Sequence, residues 1–167
     1  MELIDEINEI IHEYNQYVSL NHINYNVFSI LKLSSREVRL HSAFLADLIN
    51  PKGKHEYGSL FLSLFLDCVM EKANSGIKTL IQSQKKEQFK VSVEKYIGKI
   101  NKDETEGGRI DILLESKNII IVIENKIYAV DQKNQLLRYE NYLRNRNKKG
   151  VIIYLTLDER NMEAYST

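Results

Sequence analysis

Two charged residues close the most strand-like run in this chain, and their types raise the question of chemistry. Ile119-Ile120-Ile121-Val122-Ile123 runs directly into Glu124-Asn125-Lys126. A β-branched run with no polar side chain until Glu124 is the pattern of a strand covered on both faces. Residues two apart in a strand share a face, so Glu124 and Lys126 point the same way. Burying either charge unpaired is expensive, and the pair therefore needs a reason. A third charge, Asp111, interrupts Ile110-Asp111-Ile112-Leu113-Leu114. A hairpin turning about Glu115 to Asn118 pairs 114 with 120 or 121, and 111 with 123 or 124. Asp111 and Glu124 then lie at the same end, and two residues of slack still leave them adjacent.

Two adjacent carboxylates repel, and a divalent cation is the natural way to keep both ionised. Oxygen ligands without His or Cys nearby suit Mg²⁺ or Mn²⁺ better than zinc. Such a cation keeps open positions for phosphate oxygens and water. A lysine beside it can orient that water and offset charge on a phosphoryl transition state. The plainer alternative is an ion pair at a strand end, and on spacing alone the two readings stand level. Other chemistries find less support. His41 follows Glu37 by four residues, but the second histidine of a helical zinc pair is missing. Cys68 sits in an apolar run with no activating charge and reads as core. Gly107-Gly108 lacks the glycine and lysine spacing of a phosphate loop.

The elements that must position these residues follow from periodicity. Leu3, Ile7, Ile10, Ile11, Tyr14 and Val18 predict an amphipathic helix ending near Asn21. It is expected to pack on the chain's own core, with a homodimer through the stripe as the alternative. Ser34 or Ser35 is expected to cap a helix that stops near Asn50, before the only proline, Pro51. A further helix is expected from Ser59 to Asn74, with Gly76 as its stop. After Gln88 the pattern changes to strands around Val91–Val93, Arg109–Leu114 and Ile119–Lys126. Asp131 is expected to cap a helix through Arg146, Gly150 to end it, and Val151–Leu155 to form a last strand. This order predicts one α/β domain around a mixed sheet.

Composition bounds the function. At 167 residues with 43% hydrophobic and 28% charged residues, the chain can build one ordinary core. Its 23 basic and 23 acidic residues cancel, which argues against holding nucleic acid by bulk attraction. The average hides a gradient: residues 1–30 carry five acids and no Lys or Arg, whereas residues 121–150 carry seven bases against three acids. No apolar run approaches a membrane span, the acidic start lacks the form of a signal peptide, and a single cysteine fits a reducing cytosol. A cytoplasmic protein without a membrane anchor is expected.

The segments Gly108-Arg109-Ile110-Asp111-Ile112-Leu113 and Ile121-Val122-Ile123-Glu124-Asn125-Lys126-Ile127 resemble the Asp…Glu-x-Lys core of the PD-(D/E)XK nuclease superfamily. The wider chain resembles a bacterial PD-(D/E)XK domain family through Asn26-Val27-Phe28-Ser29-Ile30-Leu31 and the block Glu37 to Pro51. The Gly53-Lys54-His55 loop and Phe61-Leu62 add to the likeness, which spans roughly residues 26–157. The resemblance implies a restriction-endonuclease-like core of about four strands flanked by helices, with residues 1–25 as an added helix. It implies a nuclease acting on nucleic acid, with DNA as the expected substrate and Mg²⁺ or Mn²⁺ as cofactor. Asp111 and Glu124 would be metal ligands, and Lys126, with Gln135 as a second candidate, would position the water. The upstream acid, also a ligand, would map to Glu37, with Glu94 as the competitor. Gln135 and Tyr139, four apart on the next helix, match a Gln-x-x-x-Tyr element that supports the site and contacts substrate. Arg138 and His55 are then candidate phosphate contacts. Ile110 stands where the superfamily's name has proline, and the resembled family continues with more helices beyond Asp158, so a short or truncated member is expected. The alternative is a catalytically silent nuclease-fold module that binds nucleic acid or a protein.

Overall fold

The computed structural model describes residues 2–20, 37–126, 132–146 and 148–156. The chain divides into two compact units, residues 1–35 and 36–167. In the first, the expected helix forms as α1, Glu2–Leu20. Of its expected stripe, Ile7, Ile10, Ile11 and Tyr14 are exposed.

The second unit opens with a single π-helical turn, Glu37–Ser42, that runs into α2, Ala43–Leu48. Short π segments are uncommon and recur at functional sites. The expected caps at Ser34 and Ser35 lie outside the described residues. Then come α3, Leu60–Lys72, and α4, Ser75–Gln82. The sequence reading misses α4 because it takes Gly76 as a stop. Gly76 instead sits in the first turn of α4, whose start is fixed by Asn74: the side-chain oxygen accepts from the Ile77 amide at 3.0 Å.

Four strands follow: β1, Lys90–Gly98; β2, Gly108–Glu115; β3, Ile119–Lys126; and β4, Lys149–Thr156. Helix α5, Gln135–Arg144, crosses from β3 to β4. The sheet order is β1-β2-β3-β4, with antiparallel β1-β2 and β2-β3 pairs and a parallel β3-β4 pair. This is the expected mixed sheet flanked by helices. Asp131 lies outside the described residues, and α5 starts instead after Asn134, whose φ of 56° breaks the chain direction. Gly150 belongs to β4 and does not end the helix. A Cβ there would stand 2.7 Å from Leu143 Cδ1, so glycine is what lets β4 approach α5 this closely.

The run that looks like a doubly covered strand is one: β3 is buried along its whole length. Ile119, Ile121 and Ile123 face an aliphatic cluster with Leu62 and Leu66 of α3 and Ile81 of α4. Ile120 and Val122 face Tyr139 of α5 with Ile110 and Leu113 of β2. Each fully buried isoleucine contributes roughly 1.5–3 kcal/mol, which is what anchors the polar end of the strand. Cys68, expected in the core, is exposed on α3.

Candidate active site

The register decides which charges meet. Leu114 pairs with Ile121 and Ile112 with Ile123, so the next position sets Asp111 across from Glu124. On β3, Glu124 and Lys126 follow Ile120 and Val122 onto the face covered by α5. All three charged residues line one cleft of about 640 Å³, together with Glu94, Gln132 and Gln135.

Glu124 is buried to 2% exposure and fully tied into its surroundings. Lys126 Nζ lies 3.1 Å from Oε1, Gln135 Nε2 donates to the same oxygen at 2.8 Å, and Tyr139 Oη donates to Oε2 at 2.7 Å. Gln135 Nε2 also donates to Tyr139 Oη at 2.9 Å. The spacing of Gln135 and Tyr139 therefore does what i, i+4 geometry allows: two side chains of one helical face grip one carboxylate. Burial and the neighbouring charge of Glu124 push the Tyr139 phenol far up, so it remains a donor.

Asp111 is held differently. Its Oδ2 accepts the Asn125 backbone amide at 2.9 Å, and among the described residues Oδ1 accepts no hydrogen bond. Burial and the charge of Glu124, with a smaller push from Glu94, raise Asp111 to about 7; the Asn125 amide and Lys126 pull the other way. An acid kept this close to a second carboxylate is a place where a cation would be welcome.

The donor chemistry fits a hard divalent ion. A carboxylate has about four lone-pair directions, of which Glu124 uses three and Asp111 one. Mg²⁺ typically takes one or two carboxylates and completes its shell with water and phosphate oxygens. Among the described residues, no cluster of three or more His, Cys, Asp or Glu side chains is set for a metal, so they form no all-protein cage.

Glu94, the competitor for the upstream acid, lines the cleft. It stands opposite Asp111 where the β1-β2 ladder skips a pair, between Val93–Ile112 and Lys95–Ile110. Its φ is 52°, a left-handed conformation that costs a non-glycine residue of the order of 1–2 kcal/mol. The carboxylate lines the cleft in an ion pair with Arg109 at 3.1 Å. The side chain of Glu37 lies outside the described residues. Its π-turn packs against β2 and β3, and Ser42 at the end of that turn accepts from Asn125 Nδ2 at 3.2 Å. Ser42 and Asn125 are both buried, and the pair fixes the strand whose amide holds Asp111. Sequence reading treats Asn125 as a variable middle position; the available signal is an amide set between two charges at the end of a buried strand.

The three residues expected to meet substrate have partners within the protein. Tyr139 is completely buried and donates to Glu124. Arg138 is 3% exposed, its Nη1 donating to the Lys133 carbonyl and its Nη2 to Gln132 Oε1. His55 is not among the cleft-lining residues. Its Nδ1 accepts the Tyr57 amide, Nε2 donates to the Asn50 carbonyl, and its ring packs edge-on against Phe61. Both nitrogens serve the loop.

Comparison with known proteins agrees with this geometry at the level of family. No curated protein and no solved structure matches the chain. A family match does extend over residues 25–167, taking in the whole sheet, α5 and every residue of the cleft. The mixed four-stranded sheet flanked by helices has the restriction-endonuclease-like arrangement, and the chain belongs to the PD-(D/E)XK nuclease superfamily.

Proposed function

We propose that this protein hydrolyses phosphodiester bonds in nucleic acid, DNA in preference to RNA, with Mg²⁺ or Mn²⁺ as its cofactor. The observation that carries the reading is the meeting of Asp111, Glu124 and Lys126 in one cleft, with both oxygens of Glu124 oriented by donors. Asp111 and Glu124 would hold the cation, which supplies a more acidic water and a polarised phosphoryl oxygen. Lys126 would orient a water for attack and would offset negative charge gathering on the phosphoryl oxygens. Gln135 and Tyr139 keep Glu124 from swinging away. We place the third acid at Glu94, which lines the cleft, and keep Glu37 as the alternative on the adjoining π-turn. The preference for DNA rests on the family. No described helix is long and apolar enough to cross a membrane, and we propose a cytoplasmic setting from the single cysteine.

A second reading has one observation in its favour. Glu124 is satisfied by Lys126, Gln135 and Tyr139 without a metal ion, as a silent nuclease-fold module would allow. Cleavage separates the two. Labelled linear, circular and single-stranded DNA, and RNA, are incubated with Mg²⁺ or Mn²⁺ beside a Lys126→Ala variant. The nuclease reading expects cutting that stops with chelator and in the variant. Binding without cutting under every metal would leave the silent module.

A further inference from the structure

Arg138 is a buried cation that, among the described residues, pairs with no carboxylate, and its Nε is buried with no hydrogen-bond partner. Neutral acceptors on Lys133 and Gln132 satisfy its other two nitrogens. A buried guanidinium without a carboxylate among the described residues favours an anion beside it. Arg138 lines a second hollow of about 440 Å³, separate from the catalytic cleft, between β1 and α5.

That hollow is cationic. Lys95 and Arg146 line it with Arg138, against the single acid Glu106, and Asn141 adds an amide. Arg146 is held in place: its guanidinium lies 4.6 Å from the centre of the Tyr142 ring, and Nη2 donates to the Tyr142 hydroxyl at 3.0 Å. The two hollows share a wall. Tyr96 lines both and is 62% exposed, an aromatic face available between them. Gly107 borders one and Gly108 the other, and a Cβ on Gly108 would come within 3.3 Å of Arg138 Nε. Charge for phosphate beside an exposed aromatic face for a base is the combination that holds unpaired nucleic acid.

We propose that the hollow of Lys95, Arg138 and Arg146 is a phosphate-binding extension of the cleft for a single nucleic-acid strand, with Tyr96 stacking a base at the shared rim. This rests on the nuclease reading and adds to it the path of the substrate. Phosphates beyond the scissile one lie against the three cations, and the anion they bring completes the environment of Arg138.

The test is binding of a fluorescein-labelled single-stranded DNA of about 20 nucleotides in EDTA, across a range of salt, so that no cleavage intervenes. Arg138 is buried and its variants risk misfolding, so the exposed pair is changed: Lys95→Ala with Arg146→Ala. Each phosphate contact on a single strand contributes about 0.7 to the slope of log affinity against log salt. The double variant is expected to lower the slope by about 1.4, and Tyr96→Ala to weaken binding about 5- to 100-fold with the slope unchanged. A control of equal charge, Lys54→Ala with Lys72→Ala, should leave the slope as it is. A wild-type slope in the double variant, an equal fall in the control, or no binding by the wild type would each overturn the proposal. Cleavage with Mn²⁺, measured in parallel, keeps the readings apart. Cutting with an unchanged slope removes the groove alone, whereas a lowered slope without cutting keeps the groove and removes the nuclease.

Discussion

The two faces of the sheet are built from alternate residues of the same strands, yet they differ in kind. Against α3 and α4, β2 and β3 present Ile112, Leu114, Ile119, Ile121 and Ile123, and the helices answer with Leu62, Leu66 and Ile81. Against α5, the strands begin in the same way with Leu113, Ile120 and Val122, then change to Asp111, Glu124 and Lys126. The first cluster is apolar throughout and is free to be stable. On the other face, two carboxylates are brought close together and one has its ordinary acidity shifted to do so. Stability and chemistry are thus divided between faces, and one face tolerates strain because the other is well packed.

That division can be broken from the aliphatic side first. Leu66 is fully buried, and Leu66→Ala is expected to cost about 2–5 kcal/mol. Urea unfolding should report this loss, with the remaining folded protein cleaving as the wild type does. From the polar side, Tyr139→Phe removes the donor to Glu124 Oε2 and leaves a buried oxygen less satisfied. A stability loss of about 1–3 kcal/mol is expected, together with a fall in cleavage rate larger than any change in substrate binding. Equal loss in rate and binding would show that Tyr139 does no more than pack.

A smaller effect sharpens the comparison through pH. The folded protein holds Asp111 at about 7 against 3.8 for an ordinary aspartate, so folding favours its protonated form. Its contribution to stability is fully present below about pH 4 and is lost as pH rises through 7. Asp111→Asn removes that dependence. The variant's thermal midpoint should exceed that of the wild type at about pH 8, with the gap closing towards about pH 5. A gap independent of pH would remove the assigned strain from Asp111.

How much of this is legible in the sequence depends on whether a residue obeys its element's period. β2, β3 and their register can be read because an aliphatic run with charges at one end fits little besides a buried strand, and the Asp111–Glu124 pairing follows. Gln135 and Tyr139 are legible as a shared helical face, though their joint target, Glu124, is not. Glu94 is legible as the competitor to Glu37, since parity sets it opposite Val91 and Val93, but its position across from Asp111 depends on the β1-β2 register, which the sequence does not specify. Helix α4 escapes for another reason: glycine marks helix ends more often than helix starts, and Gly76 follows a capping Asn74. The burial of Arg138 and Tyr139 depends on how α5 lies on the sheet, which local spacing does not specify.

The claim beneath all of this is that the paired carboxylates exist to hold a cation. Titration of Mn²⁺ by calorimetry at about pH 8, for the wild type and Asp111→Asn, tests it most directly. The account predicts saturable binding by the wild type that weakens about tenfold per pH unit below 7 as Asp111 takes up its proton, and loss of that binding in the variant. Equal binding by both proteins, or none by the wild type, would contradict it.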